Sequence, residues 1–188
     1  MSRAGVILDR DGTLIHEARY LDRLENIQFF PYTIDAVRLL NRAGFVVVVA
    51  TNQAGVARGL LDESFVAEAH AEIAARLRTG GAQVDGWYYC PHHPEGVRPE
   101  YRQRCECRKP KPGMLQRAAA ELDLDLSRSF AVGDRWHDVG AAAAAGAKGI
   151  LVRTGYGRAE EGVAAPPYAA PLVVDNLIEA VSWILQQP

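Results

Sequence analysis

The sequence predicts an α/β fold in which helices cover both faces of a mostly parallel sheet. Two observations support this prediction. Short apolar runs rich in valine and isoleucine alternate along the chain with segments of helical periodicity. The apolar runs also lack the polar alternation of a half-exposed strand, so they fit strands that are buried on both faces. We therefore expect three layers within a single domain spanning residues 1–188.

The first helix shows how the local signals define an element. Residues 33–44 carry apolar side chains at helical spacing, with Thr33 as the expected N-cap and Gly44 as the expected C-cap. The residues that this spacing assigns to the apolar face are Ile34, Val37, Leu39 and Leu40.

The other elements continue the alternation. Buried strands are expected at 6–8, 45–53, 84–90, 129–134 and 148–153, and helices at 62–81, 112–124, 138–147 and 176–185. Residues 166–171 are typical of a proline-rich surface loop. The interval 91–112 is longer than an ordinary connection in a compact domain, so it needs a support of its own.

The composition narrows the classes of partner. The formal net charge is −2 and charges of both signs are interspersed, which disfavours nucleic acid and anionic membranes. The first apolar run is too short for a signal peptide, and no run has the length of a membrane span. We expect a cytoplasmic monomer that binds a small molecule.

Polar residues form four separated groups at the ends of expected strands, the edge where open α/β sheets bind ligands. Each group alone has a simpler explanation, because Asp-Gly is a common turn signal and Thr-Asn can cap a loop. The groups are Asp9–Thr13, Thr51–Gln53, Arg108–Pro112 and Gly133–Asp138.

In their order, these groups resemble the four motifs of the haloacid dehalogenase superfamily of phosphotransferases. The matching features are DxDGT at 9–13, a strand-end threonine, a following lysine and GDxxxD at 133–138. The resemblance implies a Rossmann-like haloacid dehalogenase fold and a phosphatase. The gaps between the motifs are too short for an inserted cap domain, so we expect a capless member. We expect Asp138 to contact the metal ligands and not the metal itself.

The resemblance and the chemistry of phosphate esters imply the same catalytic roles. A phosphate monoester needs a positioned nucleophile, a cation and a proton donor for the leaving oxygen. Asp9 is the expected nucleophile, and Asp11 the expected acid and then base. Thr51 and Lys109 are expected to bind the transferring phosphoryl group. Asp9, the Asp11 backbone carbonyl and Asp134 form an oxygen-only ligand set that suits Mg²⁺.

The cysteines predict a second metal site. An odd number of cysteines in a cytosolic chain argues against a disulfide framework. Two pairs with one intervening residue fit a closed tetrahedral Zn²⁺ site, which would be structural and would hold the loop at 90–107. His93 is a rival ligand, and a chance cluster of free cysteines is the simpler alternative. The four candidate ligands are Cys90, His92, Cys105 and Cys107.

Two capless families with such a loop are similar to this chain: the D-glycero-D-manno-heptose 1,7-bisphosphate 7-phosphatases and the histidinol-phosphate phosphatases. TNQAGVARG at 51–59, CRKPKPGML at 107–115 and an extended insert before CEC fit the heptose family better. That family implies a role in ADP-heptose and lipopolysaccharide core biosynthesis. Its pattern places substrate contacts at Glu17, Ala18, Arg19, Tyr20, Thr51, Asn52, Gln53, Ala54, Arg108 and Lys109.

The heptose family also implies a second phosphate on the substrate, and Arg58 and Arg108 are the candidates to bind it bidentately. Alternatives of other kinds stay open. One is a zinc-stabilised binding module without catalysis, which the intact acidic motifs disfavour. Another is a nucleic-acid 3′-phosphatase, which the charge balance disfavours.

Overall fold

The computed structural model describes residues 2–163 and 172–187. Within them, six strands form one parallel sheet in the order β3-β2-β1-β4-β5-β6. The strands are Gly5–Leu8 (β1), Val46–Asn52 (β2), Gly86–Cys90 (β3), Phe130–Gly133 (β4), Lys148–Val152 (β5) and Leu172–Val174 (β6). The α-helices are Thr33–Arg42 (α1), Ala54–Ala57 (α2), Glu63–Thr79 (α3), Gly113–Leu122 (α4), Trp136–Ala145 (α5), Gly157–Glu161 (α6) and Leu177–Ile184 (α7).

The strands are buried on both faces, as their composition predicts. In β1, Val6 and Leu8 pack into one apolar cluster and Ile7 packs into another on the opposite face. The first cluster also takes apolar side chains from α1, α3 and α7, and the second takes them from α4 and α5. The result is the predicted arrangement of helix, sheet and helix.

The alternation of elements is therefore confirmed, with three additions. The sixth strand β6 pairs with β5, and the short helices α2 and α6 follow β2 and β5. These elements have only three to five residues, too few for a helical or strand period to be detected. The predicted loop at 166–171 lies outside the described residues.

The predicted N-cap of α1 is wrong. Thr33 is the first helical residue and Tyr32 is the N-cap. The Thr33 hydroxyl donates instead to the Leu14 carbonyl at 2.7 Å, so a tertiary contact takes the side chain that a cap would use. The apolar face also differs from the predicted one: Leu40 is fully buried, whereas Leu39 is 39% exposed.

The sheet topology places the site. β1 lies in the middle of the sheet, and the chain continues to β2 and β3 on one side and to β4, β5 and β6 on the other. A crevice forms at the carboxyl ends of the strands where the order reverses. Asp9 follows β1 and Asp134 follows β4, so the two acidic motifs meet there. In the part of the chain that the structure describes, no helix is both long and apolar enough to span a bilayer.

The two leucines of α1 provide a stability test. Leu40→Ala should lower the free energy of unfolding by about 2–5 kcal/mol, because it removes fully buried methyl groups and leaves a cavity. Leu39→Ala on the same helix should change it by less than about 1 kcal/mol, since this side chain is partly solvated. Urea unfolding of both variants measures the difference. Equal losses would mean that α1 is rotated relative to the structure described here.

Candidate active site

A cavity of about 200 Å³ lies at the carboxyl ends of the central strands. The structure brings the predicted catalytic and magnesium-binding residues to its wall, together with every predicted substrate-binding residue except Ala18, although they come from four separate stretches of chain. These residues are Asp9, Asp11, Glu17, Arg19, Tyr20, Thr51, Asn52, Gln53, Ala54, Arg58, Arg108, Lys109 and Asp134.

Lys109 is at the centre of the buried part of the site. Its side chain is 5% exposed, and its Nζ donates to Asp9 Oδ1 at 2.8 Å and to the Ala50 carbonyl at 2.7 Å. It also forms an ion pair with Asp138. Burial by itself would lower the pKa of the ammonium, but the carboxylates of Asp138 and Asp9 outweigh burial and raise this pKa. Lys109 therefore stays charged at neutral pH.

Three carboxylates cluster here, and the ammonium pairs with two of them. Asp9, Asp134 and Asp138 each offer an oxygen, and these oxygens lie within 4.8 Å of one another. Burial, together with the charges of the neighbouring aspartates, raises the pKa of Asp9 to about 7. Burial and the charges of Asp9 and Asp138 raise that of Asp134 to about 9. The raised pKa values show that these carboxylate charges disfavour one another, and a cluster of hard oxygen donors of this kind is a fitting environment for Mg²⁺.

The backbone around Asp134 leaves room only for glycine. Asp134 Oδ2 accepts a hydrogen bond from the Tyr156 amide at 2.8 Å. A Cβ atom on Gly12 would lie 2.2 Å from this oxygen, and one on Gly155 would lie 2.0 Å from it. Both glycines also have positive φ angles, of 78° and 54°. The DxDGT motif therefore needs its glycine for close approach to Asp134 as well as for the turn.

Asn52 binds the backbone of Lys109. Its Nδ2 donates to the Lys109 carbonyl at 3.1 Å, and its Oδ1 accepts from the Lys109 amide at 3.0 Å. Both ends of the amide are used in this contact. The residue predicted to contact substrate thus also fixes the segment that delivers Lys109 to Asp9.

Asp11 stands apart from the acidic cluster. Its side chain is 18% exposed and is bonded to Arg10 and Gln53, and Gln53 in turn bonds to Thr51. Thr51 is 1% exposed, so its hydroxyl lies at the floor of the cavity. Of the predicted magnesium ligands, Asp11 is the one assigned through its backbone carbonyl, which is compatible with a side chain held elsewhere.

Basic residues dominate the outer wall. Arg58 is exposed, whereas Arg108 is partly buried and its Nη1 donates to the His92 carbonyl at 3.3 Å. Burial lowers the pKa of Arg108. On the loop after β1, Glu17 accepts a hydrogen bond from the backbone amide of Arg19, which has a positive φ of 61°. Burial and the nearby Asp11 raise the pKa of Glu17.

The cysteines and His92 converge at the carboxyl end of β3. The three sulfur atoms lie 3.2–3.5 Å apart, and His92 Nδ1 lies 3.4 Å from Cys107 Sγ. A tetrahedral site with Zn–S bonds of about 2.3 Å needs ligand separations of this order, so the four groups fit the metal. His93 points away: its Nδ1 accepts from the Glu95 amide and its Nε2 lies 3.4 Å from Arg58 Nη2.

Four polar wall residues were not predicted from the sequence: Arg10, Arg135, His137 and Tyr156. Arg135 stacks over the Tyr156 ring at 3.7 Å from its centroid. Arg10 is buried at 2% exposure directly between the two motif aspartates. Its position inside the DxDGT motif is the only signal that the sequence offers for it.

Comparisons with known proteins agree with this geometry. A family model described as HAD-hydrolase-like matches residues 106–180. The D-glycero-beta-D-manno-heptose-1,7-bisphosphate 7-phosphatase of Yersinia pestis is 42% identical over 172 residues, which cover 90% of this chain and 91% of that protein. The chain belongs to this phosphatase family. The protein of the same name from Escherichia coli K12 is 45% identical over 152 residues, covering 80% of this chain and 79% of the other.

A solved structure extends the similarity to three dimensions. The D,D-heptose 1,7-bisphosphate phosphatase from B. bronchiseptica, complexed with magnesium and phosphate, is 34% identical with a TM-score of 0.88. The alignment covers 98% of this chain and 99% of that one. The predicted superfamily, fold class and phosphatase activity of this family member are thereby confirmed.

Proposed function

We propose that this phosphatase removes the 7-phosphate of D-glycero-D-manno-heptose 1,7-bisphosphate through an aspartyl-phosphate on Asp9. The relatives named above support the substrate. The observation that carries the chemistry is the position of Asp9, at the end of a buried strand with the Lys109 ammonium at 2.8 Å. A carboxylate paired with a buried cation beside an open cavity is placed to meet an anionic phosphoryl group.

In the first step, an oxygen of Asp9 attacks phosphorus while the bond from phosphorus to the sugar oxygen breaks. Asp11 donates a proton to the leaving oxygen. In the second step, Asp11 takes a proton from a water molecule that attacks the same phosphorus, and the bond to Asp9 breaks. Lys109 and Thr51 bind the non-bridging oxygens, where charge must be neutralised in both transition states.

Mg²⁺ is the cofactor that we assign to the acidic cluster. Asp9, Asp134 and the backbone carbonyl of Asp11 would hold it. When bound, it neutralises charge on the phosphoryl oxygens. Asp138 is occupied by Lys109 and by the Arg135 amide, whose nitrogen lies 3.1 Å from Asp138 Oδ2. Asp138 therefore has the contacts of a residue that orients Lys109.

The second phosphate of the substrate is assigned to Arg58 and Arg108. Both line the same cavity as Asp9, on the side formed by the loop after β2 and by the segment that follows Cys107. Guanidinium groups can bind phosphate with two parallel hydrogen bonds. Glu17, Arg19 and Tyr20 on the loop after β1, which line the same cavity, are assigned to the sugar hydroxyls.

Zn²⁺ is assigned to Cys90, His92, Cys105 and Cys107 as a structural ion. The four ligands leave no open position for substrate. The hydrogen bond from Arg108 to the His92 carbonyl links this cluster directly to the substrate cavity. The zinc loop would therefore position Arg108, and the residue after it, Lys109.

We further propose that the protein acts as a cytoplasmic monomer in the synthesis of ADP-heptose for the lipopolysaccharide core. The substrate class supports the pathway, and the net charge of −2 disfavours nucleic acid and anionic membranes as partners. Neither nucleic acid nor a membrane is assigned as a partner.

Asp9→Asn should abolish phosphate release while leaving the fold and the zinc content unchanged, because it removes the nucleophile without removing an apolar contact. Turnover of an aryl phosphate with Mg²⁺ provides the measurement. Asp35→Asn on the exposed face of α1 is the matched control and should be fully active. If purified Asp9→Asn turned over at a rate near that of the control, Asp9 would not be the nucleophile.

The adjacent residues His92 and His93 provide a test of the zinc ligand set. His92→Ala should lose the metal and lower the unfolding temperature, whereas His93→Ala should retain one zinc per chain. Elemental analysis of protein purified without chelator gives the ratio of zinc to protein chains. Mg²⁺ should still be required for turnover in the zinc-loaded enzyme. Zinc bound equally well by both variants would remove His92 from the ligand set.

Arg58→Ala should lower kcat/KM for the heptose 1,7-bisphosphate by roughly ten- to a hundredfold, or about 1.5–3 kcal/mol, through loss of a charge-assisted contact. Hydrolysis of a heptose 7-phosphate or an aryl phosphate should barely change. Arg102→Ala, an exposed residue of the zinc loop outside the cavity, is the matched control.

The same panel should include both anomers of the bisphosphate and histidinol phosphate. Wild-type protein should prefer the bisphosphate, because binding at the remote phosphate orients the reacting end. Histidinol phosphate as the best substrate, or an equal loss on all substrates in Arg58→Ala, would contradict the bisphosphate assignment.

A further inference from the structure

Arg10 is a charged side chain that is buried inside the protein. It is among the largest fully buried side chains of the described residues, at 2% exposure. Burial of a guanidinium is costly unless its donors are satisfied. Its Nε and Nη2 each lie 3.1 Å from an oxygen of Asp11, and Nη2 also donates to Gln53 Oε1 at 3.0 Å. The planar group therefore binds Asp11 as a fork.

Gln53 completes this network from the other side. Its Nε2 donates to Asp11 Oδ2 at 2.9 Å and to Thr51 Oγ1 at 2.8 Å, and the side chain is 6% exposed. The neighbours fix the orientation of the amide, since its oxygen meets the guanidinium and its nitrogen meets the carboxylate. A flipped amide would place a donor against Arg10 and an acceptor against Asp11.

We propose that Arg10 and Gln53 are positioning residues for Asp11, and we call them the Asp11 clamp. The inference rests on the proposed function, in which Asp11 is the acid and base. A carboxylate at the rim of an open cavity can rotate about two side-chain bonds, and rotation would move its oxygens away from the leaving group. Proton transfer requires those oxygens within hydrogen-bond reach.

The clamp holds Asp11 without occupying all the hydrogen-bond acceptor sites of its carboxylate. Two carboxylate oxygens offer about four lone-pair sites, and the clamp supplies three donor contacts. One site remains for the leaving oxygen or for water. Because Gln53 also binds Thr51, one amide links the acid–base residue to the hydroxyl assigned to the phosphoryl group.

The variants that test the clamp are Gln53→Met and Arg10→Lys. Methionine retains the volume of Gln53 and removes its hydrogen bonds, whereas lysine retains the charge of Arg10 and removes the fork. On the heptose bisphosphate, whose two chemical steps both need Asp11, we expect kcat to fall about 10- to 100-fold with KM changed less than about threefold, since a positioning loss affects transition states and not binding. Gln53→Met alone suffices if Arg10→Lys does not fold.

An aryl phosphate distinguishes the two chemical steps and so tests the role of the clamp. Its leaving group departs without a proton, so Asp9 is still phosphorylated, but the second step needs Asp11 as base. Rapid-quench mixing should therefore show a burst of aryl alcohol close to one per enzyme in the clamp variants, followed by slow turnover. A general loss of packing would lower the burst and the later rate together.

Double variants test whether Gln53 acts through Asp11. If the clamp acts through Asp11, Gln53→Met should cause no further loss of kcat in an Asp11→Asn background. An equal loss in both backgrounds, or a rise in KM without a fall in kcat, would overturn the clamp and leave the phosphatase mechanism standing. Full activity of Asp11→Asn would instead overturn the proposed mechanism, and the clamp with it.

Discussion

The pairing of one buried ammonium with two carboxylates, one buried and one at the cavity, is the interaction on which the site depends. Lys109 joins Asp9 after β1 to Asp138 in α5, and it arrives on the segment that follows the cysteine cluster. Removing Lys109 would leave both carboxylates without their cation, and breaking a buried pair in this way typically costs about 3–5 kcal/mol. The same contacts therefore hold three distant parts of the chain together and set the charge at the nucleophile.

Sequence could predict which residues meet because parallel strands end at a common edge. Asp9, Thr51 and Asp134 each lie at or next to such an end, so the positions of the strands predict that these residues meet. The partner of a polar side chain is harder to predict, since it depends on contacts between distant segments. Asn52 bonds to a backbone 57 residues away, and Thr33 binds Leu14 instead of capping its helix. Arg10 carried no periodicity or spacing from which its partner could be derived.

Three consecutive residues at the end of β2 have separate roles. Thr51 faces the cavity floor, Asn52 binds the Lys109 backbone, and Gln53 binds Asp11. An extended strand sends neighbouring side chains in alternate directions, and the turn into α2 adds a third direction. A short strand end thus reaches two other motif segments at once, which explains why a threonine, an asparagine and a glutamine follow each other here.

The division between buried and exposed residues has a consequence for specificity. Asp9, Lys109 and Gln53 are held by partners inside the protein, whereas Arg58 is exposed on a loop with its nearest polar contact at His93. A substitution at Arg58 therefore leaves no buried group unpaired, while one at Gln53 removes one hydrogen bond from Arg10 and one from Asp11. Substrate preference in a capless enzyme of this kind can change through its loops, because the bonds that orient the reacting groups lie beneath them.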